Sequence, residues 1–489
     1  MATRLTTILV AVIVGATFIA GLIVGAQRDD ANGPVDLIIV NGKVYPGGGA
    51  DLQAAVAVRG NQILRVGSNR DVKRLRRAQT VVLDAHGASV LPGLNDTRVR
   101  LMSGALTLEH LNLAPARTTA DIETEVRHYA EDKPSASWLL GRNGNEELLA
   151  AANAPARKIL DGAVQDRPVL VTSEQGDVAW ANSKALELAG IGRKTRNPQS
   201  GIVVKDRRTG EPTGVLKDDA VDLVARLVPE PTRAEKLTAL RAAMSEANRL
   251  GITSVHSISP THEELQLLDE IRKDGDLAVR VYASIAVPPT VSEADVLGLN
   301  KLRDEFPDDP ALKLGGVTVM CPCDAPQIER AVALLDKHGW HIMVQTVNGA
   351  DVHAAINAFE HAAAVNPSPA RDRRNRLDES LLSDGNARIL FGSNWPAASL
   401  DPRDAIEDAV AAPGELRDAI DAYTSHAAYA SYDEQRKGTL ARGMLADIVI
   451  LSNDIFEPRP EALRETAVTV TIFDGKIVHQ LPPAASSND

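Results

Sequence analysis

Cysteine and aromatic residues are both scarce in this sequence. Its 489 residues include two cysteines, and aromatic side chains make up 3% of the chain against 44% for hydrophobic residues as a whole. The two cysteines stand in Cys321-Pro322-Cys323. A disulfide between residues two apart is geometrically awkward, and a structural zinc site would need four ligands. We therefore interpret the pair as structural and expect a core of aliphatic side chains.

Clusters of positive charge are also missing. The formal net charge is −12 at pH 7, and no long basic run occurs. Proteins that bind nucleic acids rely on a basic surface, so this balance argues against a nucleic-acid partner. No glycine-rich phosphate-binding motif follows any of the hydrophobic segments either. The length fits one large domain together with a smaller one.

One long hydrophobic run stands near the N-terminus, from Ile8 to Ala26. About 19 residues at ~1.5 Å each nearly span the hydrocarbon core of a bilayer. The run is longer than the hydrophobic part of most signal peptides, although Val24-Gly25-Ala26 would serve as a cleavage site. Residues 1–30 are therefore predicted to be a transmembrane anchor, with a cleaved signal peptide as the alternative. The folded part would be membrane-anchored outside the cytoplasm in the first case and secreted or periplasmic in the second.

Short β-like segments occur at both ends of the chain, each closed by Gly or Asn-Gly. Near the start they include DLIIVNGKVYPG and AAVAVRGNQILRVG, and near the end GMLADIVILS and VTVTIFDGKIVH. Two sets of strands at opposite ends of one chain predict a small composite β-sandwich, formed by residues 35–90 and 436–481.

Between these ends, helical stretches such as TRAEKLTALRAAMSEANRL alternate with short apolar segments such as GITSVHSI, LKLGGVTV and ARILFGSN. Repeated βα units predict a parallel sheet, and this many units favour a barrel over an open sheet. We therefore predict an α/β fold with a TIM-like (β/α)8 barrel over residues 91–435. Chemistry in such barrels lies at the C-terminal ends of the strands.

Several stretches of this chain resemble amidohydrolase family 3, the branch that includes enzymes like N-substituted formamide deformylase. They are VLDAHGASVLPGLND, ANSKALELAGI (181–191), GEPTGVLKDDAVDLV (210–224), GITSVHSIS (251–259) and AYASYDEQRKGTLARGMLADIVIL (428–451). The likeness covers nearly all of residues 35–480. It implies a helical insertion at about 115–225, and a barrel that is either complete or has one unit shortened. It implies a metal-dependent hydrolase of non-peptide C–N bonds, in which a divalent metal such as zinc polarises the amide carbonyl and lowers the pKa of bound water to about 7.

The positions that match the family's metal ligands hold other residues. The family supplies Asp-x-His-x-His after the first strand, further histidines on later strands, and an aspartate in Gly-Ser-Asp-Trp-Pro. Asp96 matches the first aspartate, but Arg98 and Arg100 stand in place of the two histidines. Gln345 replaces a later histidine, and Asn394 replaces the aspartate that would act as ligand and base. A guanidinium has no lone pair for a metal, so a metal centre of the family type is not expected, and no cofactor is predicted.

Four further positions complete the predicted pocket. Asp177 and Glu379 fall where the family usually carries histidines, and Lys313 matches a lysine that the family places on a strand. His256 ends a strand and is the histidine expected to face the barrel mouth, with a structural role as the alternative. The predicted vestigial or ligand-binding pocket consists of Asp96, Arg98, Arg100, Asp177, His256, Lys313, Gln345, Glu379 and Asn394.

The two arginines of LPGLNDTRVRL admit more than one role. On a strand, residues two apart share a face, so Asp96, Arg98 and Arg100 point the same way. Their charges require acids nearby, and Asp96, Asp177 and Glu379 are the expected partners in a network that replaces the metal. The alternatives are structural salt bridges, bidentate binding of a small anionic ligand, or direct catalysis.

Two functions follow from this reading. The first is a membrane-tethered amidohydrolase family 3 protein that has lost its metal centre and acts as a non-catalytic binding or scaffold protein. The second is an active hydrolase of small amides with a rewired site. The expected partners are a small anionic ligand and, through the N-terminal helix, a membrane. Fold membership alone does not decide between the two functions.

Overall fold

The computed structural model describes residues 34–482 except 146, 149–153, 174, 307, 321–323, 347, 378–379, 384–385, 411–414 and 457–465. Three predicted features lie outside the described residues: the membrane segment at 1–30, the Cys321–Cys323 pair and Glu379. Within the part that is described, no helix is both long enough and apolar enough to cross a membrane.

Short strands and helices alternate through most of the chain. The strands are β1 (Leu37–Val40), β2 (Lys43–Val44), β3 (Ala55–Arg59), β4 (Gln62–Gly67), β5 (Val81–Asp84), β6 (Ser89–Pro92), β7 (Leu94–Val99), β8 (Leu111–Asn112), β9 (Leu139–Arg142), β10 (Val169–Thr172), β11 (Val178–Ala181), β12 (Gly201–Lys205), β13 (Pro212–Asp218), β14 (Ile252–Ile258), β15 (Arg280–Val287), β16 (Leu312–Met320), β17 (His341–Gln345), β18 (Asn375–Leu377), β19 (Ser380–Ser383), β20 (Asn386–Ile389), β21 (Ile448–Leu451), β22 (Val468–Phe473) and β23 (Lys476–Gln480). The helices are α1 (Asn69–Lys73), α2 (Leu101–Leu108), α3 (Thr119–Asp132), α4 (Ala156–Ala163), α5 (Ser183–Leu188), α6 (Asp222–Ala225), α7 (Arg233–Arg249), α8 (His262–Lys273), α9 (Glu293–Glu305), α10 (Ala325–Lys337), α11 (Gly349–Val365), α12 (Pro402–Ala409), α13 (Glu415–Tyr423) and α14 (Ser425–Ala430).

Two small sheets are built from the two ends of the chain. One has four strands in the order β4-β3-β1-β5, and the other has five in the order β2-β6-β21-β22-β23. One aliphatic cluster contains side chains from both sheets, including Ile39 and Val56 from the first and Ile448 and Ile472 from the second. Strands from opposite ends of the sequence therefore meet in space, while the finer prediction of a β-sandwich stays a prediction.

The barrel region contains an eight-stranded sheet in the order β20-β19-β18-β17-β16-β15-β14-β7. The six strands from β7 to β18 pair in parallel, which confirms the predicted parallel sheet. Where the predicted barrel would continue with another βα unit, β19 and β20 form an antiparallel hairpin instead. The reason is length, because a parallel crossover needs roughly a dozen residues or more in addition to its strands.

The segment after this hairpin returns to the first barrel strand. The amide of Thr97 donates to the carbonyl of Phe391 at 3.0 Å, and the amide of Asn394 donates to the carbonyl of Arg98 at 2.8 Å. These bonds hold residues 391–394 alongside β7. The residues predicted to end the last barrel strand therefore lie beside those that end the first.

Helix α7 shows how the sequence determines a barrel helix. The Thr232 side chain accepts from the amide of Glu235, and the Glu235 carboxylate accepts from the amide of Thr232 at 2.7 Å, which is a capping box. The buried side of the helix includes Leu240 and Met244, which belong to the main apolar cluster of the barrel region. The helix predicted from TRAEKLTALRAAMSEANRL is thereby confirmed.

The predicted helical insertion contains a sheet as well as helices. Six strands pair in the order β12-β13-β11-β10-β9-β8, and α3, α4 and α5 accompany them. Its strands alternate buried and half-buried positions, as in Leu139–Arg142, and the short ones are easily mistaken for loops in the sequence. This insertion places β9 and β10 next to the barrel mouth, because residues of both line the cavity described below.

Candidate functional site

Asp96 lies in the middle of β7 and is completely buried. Its Oδ1 accepts hydrogen bonds from the amides of Arg98 and Ser393, each at 3.0 Å. Burial raises the pKa of Asp96 to about 6, and these hydrogen bonds and the charge of Arg376 act in the opposite direction. The predicted network is therefore corrected at this point: main-chain amides hold the carboxylate, and the cation acting on it comes from β18.

Arg376 crosses the barrel interior and was missed by the sequence prediction. It is 2% exposed, its Nη2 donates to the carbonyl of Thr97 at 3.3 Å, and its Nη1 lies 3.2 Å from Nδ1 of His256. A guanidinium can only donate, so Nδ1 of His256 is the acceptor and the neutral ring carries its proton on Nε2. The signal that could have found Arg376 is its place in NRLDES, one residue before the end of β18.

His256 is buried in this arrangement and stays neutral. Burial lowers its pKa well below the usual value, and the charge of Arg376 lowers it further. One ring nitrogen accepts from the arginine, and the other carries the proton. Neither nitrogen therefore offers a lone pair to a metal. The ring, which was expected at the barrel mouth, is buried against Arg376 and Tyr282.

Tyr282 and His341 extend this buried group. Oη of Tyr282 lies 2.9 Å from Nδ1 of His341, and the Tyr282 ring also packs on His256 with a centroid distance of 5.0 Å. Burial raises the pKa of Tyr282 and lowers that of His341 well below its usual value. Both side chains are thus neutral near pH 7. No role was predicted for His341; the signal that could have found it is its position at the start of an apolar strand.

Arg100 and Asn394, both assigned to the predicted pocket, are in contact. Nη1 of Arg100 lies 3.4 Å from Oδ1 of Asn394, a long hydrogen bond. Arg98 packs against the returning segment: a Cβ built on Gly392 would lie 2.6 Å from the Cβ of Arg98. Glycine is required there for this close approach.

Lys313 is held by carboxylates at the opposite end of the strands. Its Nζ lies 2.9 Å from Oδ1 of Asp433 and 3.1 Å from Oδ1 of Asp308. Beside it, the buried Lys437 contacts the hydroxyl of Ser254, and burial lowers the pKa of Lys437 to about 8. Lys313 therefore takes part in an ion-pair cluster at the barrel floor, with Asp433 and Asp308 as its partners.

Two other predicted residues lie apart from the buried group. Asp177 is exposed on the insertion, where its Oδ1 accepts from the Ser173 hydroxyl at 2.8 Å. The prediction that it lies together with Asp96 is therefore wrong. The reason is that the insertion folds as its own sheet, and Asp177 precedes a strand of that sheet. Gln345 ends β17 and is half-buried, and its Oε1 has no hydrogen-bond partner among the described residues.

A cavity of about 600 Å³ lies at the mouth of the barrel, where the insertion meets it. We call it the mouth cavity. Its walls include Arg100, Thr107, Arg142, Thr172, Arg249 and residues 395–401.

These residues do not fit the divalent metal that the family implies. Zinc sites use three or four nitrogen, oxygen or sulfur ligands converging on one point. Over the described ranges, no group of three or more His, Cys, Asp and Glu side chains converges in this way. The chemical reason lies in the donors themselves. Nδ1 of His256 accepts from Arg376, and Oδ1 of Asp96 accepts from two amides, which leaves Oδ2 of Asp96 as a single oxygen donor in this group.

The raised pKa of Asp96 predicts how stability depends on pH. The folded protein holds this proton up to about pH 6 and the unfolded chain only to about pH 4, so the free energy of unfolding falls as the pH rises between these values. Asp96→Asn removes the cost of ionising this buried carboxyl. We therefore expect the free energy of unfolding of the variant, relative to that of wild type, to be about 2 to 3 kcal/mol higher at pH 7.5 than at pH 4. Urea unfolding of both proteins at the two pH values measures the difference.

Asp219→Asn, at an exposed position, is the matched control and should show no such pH-dependent gain. A loss of stability in Asp96→Asn that grows toward neutral pH would show that the carboxylate is stabilised in its charged form, as a bound cation would do.

Comparison with known proteins agrees with this architecture. The amidohydrolase family, family 3, matches residues 81–388 and 379–479. The chain is 25% identical to Protein LONG AFTER FAR-RED 3 of Arabidopsis thaliana, over 90% of this chain and 91% of that protein. It is 21% identical to N-substituted formamide deformylase of Arthrobacter pascens, over 91% and 98% of the two chains.

A solved structure shares the fold. The crystal structure of an uncharacterized metal-dependent hydrolase from Pyrococcus furiosus superposes with a TM-score of 0.65 at 19% identity, over 86% of this chain and 100% of that one. At this identity the likeness concerns the fold alone. Because the family match covers most of the sequence, this chain belongs to amidohydrolase family 3.

Proposed function

We propose that this family member has lost its metal centre and acts as a non-catalytic binding or scaffold protein for a small anionic ligand. The observation that carries the proposal is the Arg376–His256 hydrogen bond in the barrel interior. It uses the lone pair on Nδ1 of His256, and it introduces a fixed positive charge where the family would bind a dication. Arg98 and Arg100 add two more charges of the same sign at the strand end.

The physical argument is one of charge. Two like charges about 5 Å apart repel by roughly 3 kcal/mol at an effective dielectric constant of 20. A divalent cation beside buried guanidiniums would face that repulsion without the imidazoles that normally compensate it. An anion at the same place is attracted, and guanidiniums bind carboxylates and phosphates through paired hydrogen bonds.

An active hydrolase of small amides is the second candidate. It is favoured by the raised pKa of Asp96, at about 6, because a carboxylate with that pKa is matched to general acid–base work near neutral pH. The printed name of the Arthrobacter pascens relative indicates the substrate class to test, N-substituted formamides.

The finer architecture and the location of the protein belong to the same proposal. We propose that residues 1–30 tether the chain to a membrane, with the folded part outside the cytoplasm, or direct its secretion if they are cleaved. The support is the hydrophobic run from Ile8 to Ala26.

We further propose that the two terminal sheets form one β-sandwich, supported by the aliphatic cluster that they share.

An activity assay separates the two functions. Purified protein is supplied with zinc or manganese and incubated with N-methylformamide and N-benzylformamide, with and without chelator. The binding proposal predicts no turnover above that of Asp96→Ala under any of these conditions. Turnover that a chelator abolishes, and that Asp96→Ala also abolishes, would contradict it and establish the hydrolase.

A further inference from the structure

We infer that Arg100 and Arg142 form an anion-binding site shared between the barrel and its insertion, and that this site takes a small carboxylate bearing hydroxyl groups. The inference rests on the proposed binding function and names its ligand class. It adds a residue, Arg142, that neither the family ligand positions nor the sequence prediction includes.

Arg142 is a half-buried cation without a protein partner. It ends β9, and its guanidinium makes no hydrogen bond or ion pair with any part of the chain that the structure describes. Burial lowers the pKa of Arg142, while the charge of Glu246 opposes that effect. Because arginine stays protonated in proteins, it carries a partly desolvated and uncompensated charge, which is costly unless a ligand supplies the counter-charge.

The described acidic residues that line the mouth cavity are already used by other cations. Both carboxylate oxygens of Glu246 accept from Arg249, at 2.7 Å each. Asp401 is bound by Arg403, through its Nε at 2.9 and 3.0 Å. Among the residues that the structure describes, Arg142 and Arg100 therefore face the cavity without a carboxylate partner.

Arg100 is correspondingly weakly held. Its guanidinium makes one long contact, 3.4 Å, to the amide oxygen of Asn394, and lines the same cavity as Arg142. An anion placed between the two would receive donors from both domains. The backbone of Arg142 is fixed by the pairing of β9 with β10, and that of Arg100 by its position as the N-cap residue of α2. The site is therefore preorganised at the level of the backbone.

The neutral walls of the cavity favour a ligand that has hydroxyl groups. The hydroxyl of Thr107 donates to the carbonyl of Gly104 at 2.7 Å, and that of Thr172 donates to the carbonyl of Gly141 at 3.4 Å. With their protons used in this way, both oxygens remain as acceptors. Acceptors of this kind are complementary to the hydroxyl protons of a polyol chain, and the volume of about 600 Å³ accommodates a small sugar acid.

Titration calorimetry with sodium gluconate tests the inference, at constant ionic strength and with no metal added. Sorbitol and sodium chloride serve as the neutral and the inorganic control. We expect wild type to bind gluconate and neither control, and Arg100→Met and Arg142→Met each to bind it at least about tenfold more weakly. Arg207→Met, on an exposed turn of the insertion, should leave the affinity unchanged.

Arg142→Lys keeps the charge but cannot donate the paired hydrogen bonds of a guanidinium, so its affinity for gluconate should lie between those of wild type and Arg142→Met. This variant also serves as the test if methionine disturbs folding. Wild-type affinity in a folded Arg142→Met variant, together with its loss in Arg100→Met, would overturn the inference and leave the proposed binding function intact. Inorganic phosphate is titrated in the same way. If wild type bound neither gluconate nor phosphate, both this inference and the proposed binding function would be overturned.

Discussion

Arg280→Met is expected to lower the free energy of unfolding by about 3 to 5 kcal/mol. Arg280 starts β15 at the barrel floor and is 2% exposed. Its Nε and Nη2 bind the two oxygens of Asp447 at 2.6 and 3.0 Å, and Nη2 also lies 2.8 Å from Asp474. Burial alone would lower the pKa of Arg280, but these two carboxylates raise it. Removing the guanidinium leaves Asp447 buried without its counter-charge.

The loss should be specific to breaking the pair. Asp447 precedes β21 and Asp474 follows β22, so the arginine joins the barrel to the sheet built from the C-terminal strands. The double variant Arg280→Met/Asp447→Leu also removes the buried carboxylate of Asp447, so much of the stability should return. Urea unfolding followed by circular dichroism measures all three proteins. A single variant within about 1 kcal/mol of wild type would contradict this account, because only an exposed pair is worth that little.

Gly104→Ala is expected to cost about 2 to 3 kcal/mol, by forcing apart two elements of the barrel mouth. Gly104 lies within α2, and a Cβ built on it would stand 2.1 Å from Cε3 and Cζ3 of the Trp395 ring. Trp395 is buried and follows Asn394, so a displaced ring would also move the Arg100–Asn394 contact. Weaker gluconate binding should accompany the lost stability.

The matched control is Gly298→Ala, within α9. Nothing lies within 4 Å of a Cβ at that position, so the usual preference of helices for alanine should raise stability there by about 0.5 to 1 kcal/mol. Thermal or urea unfolding with tryptophan fluorescence distinguishes the two variants. Gains of equal size at both positions would show that the helix and Trp395 are not in contact.

The sequence predicted those parts of the fold that depend on local periodicity. Alternating apolar and helical segments gave the parallel strands, and the Thr232–Glu235 cap matched a predicted helix. The hairpin of β19 and β20 was not predicted as such, because a short apolar run has the same pattern whether its neighbour is parallel or antiparallel. The sheet within the insertion was missed because four of its six strands have four residues or fewer, too short to show a clear alternation.

For the site, sequence positions identified the residues but not their partners. Asp96 was predicted to share a face with Arg98 and Arg100, yet its bonds come from main-chain amides that no side-chain motif encodes. Asp177 was grouped with it by family position, whereas a separate sheet carries it to the surface. Arg376 escaped notice because a lone arginine on a strand is usually exposed, and only the tertiary structure shows its guanidinium between β7 and β14.

The central claim is that fixed guanidiniums stand where the family would bind a metal, and zinc stoichiometry tests it most directly. The protein is incubated with excess zinc, desalted, and its bound metal measured by mass spectrometry for wild type, Asp96→Ala and His256→Ala. The account predicts far less than one zinc per chain, with the same trace in all three proteins. One zinc per chain in wild type, lost in either variant, would contradict it.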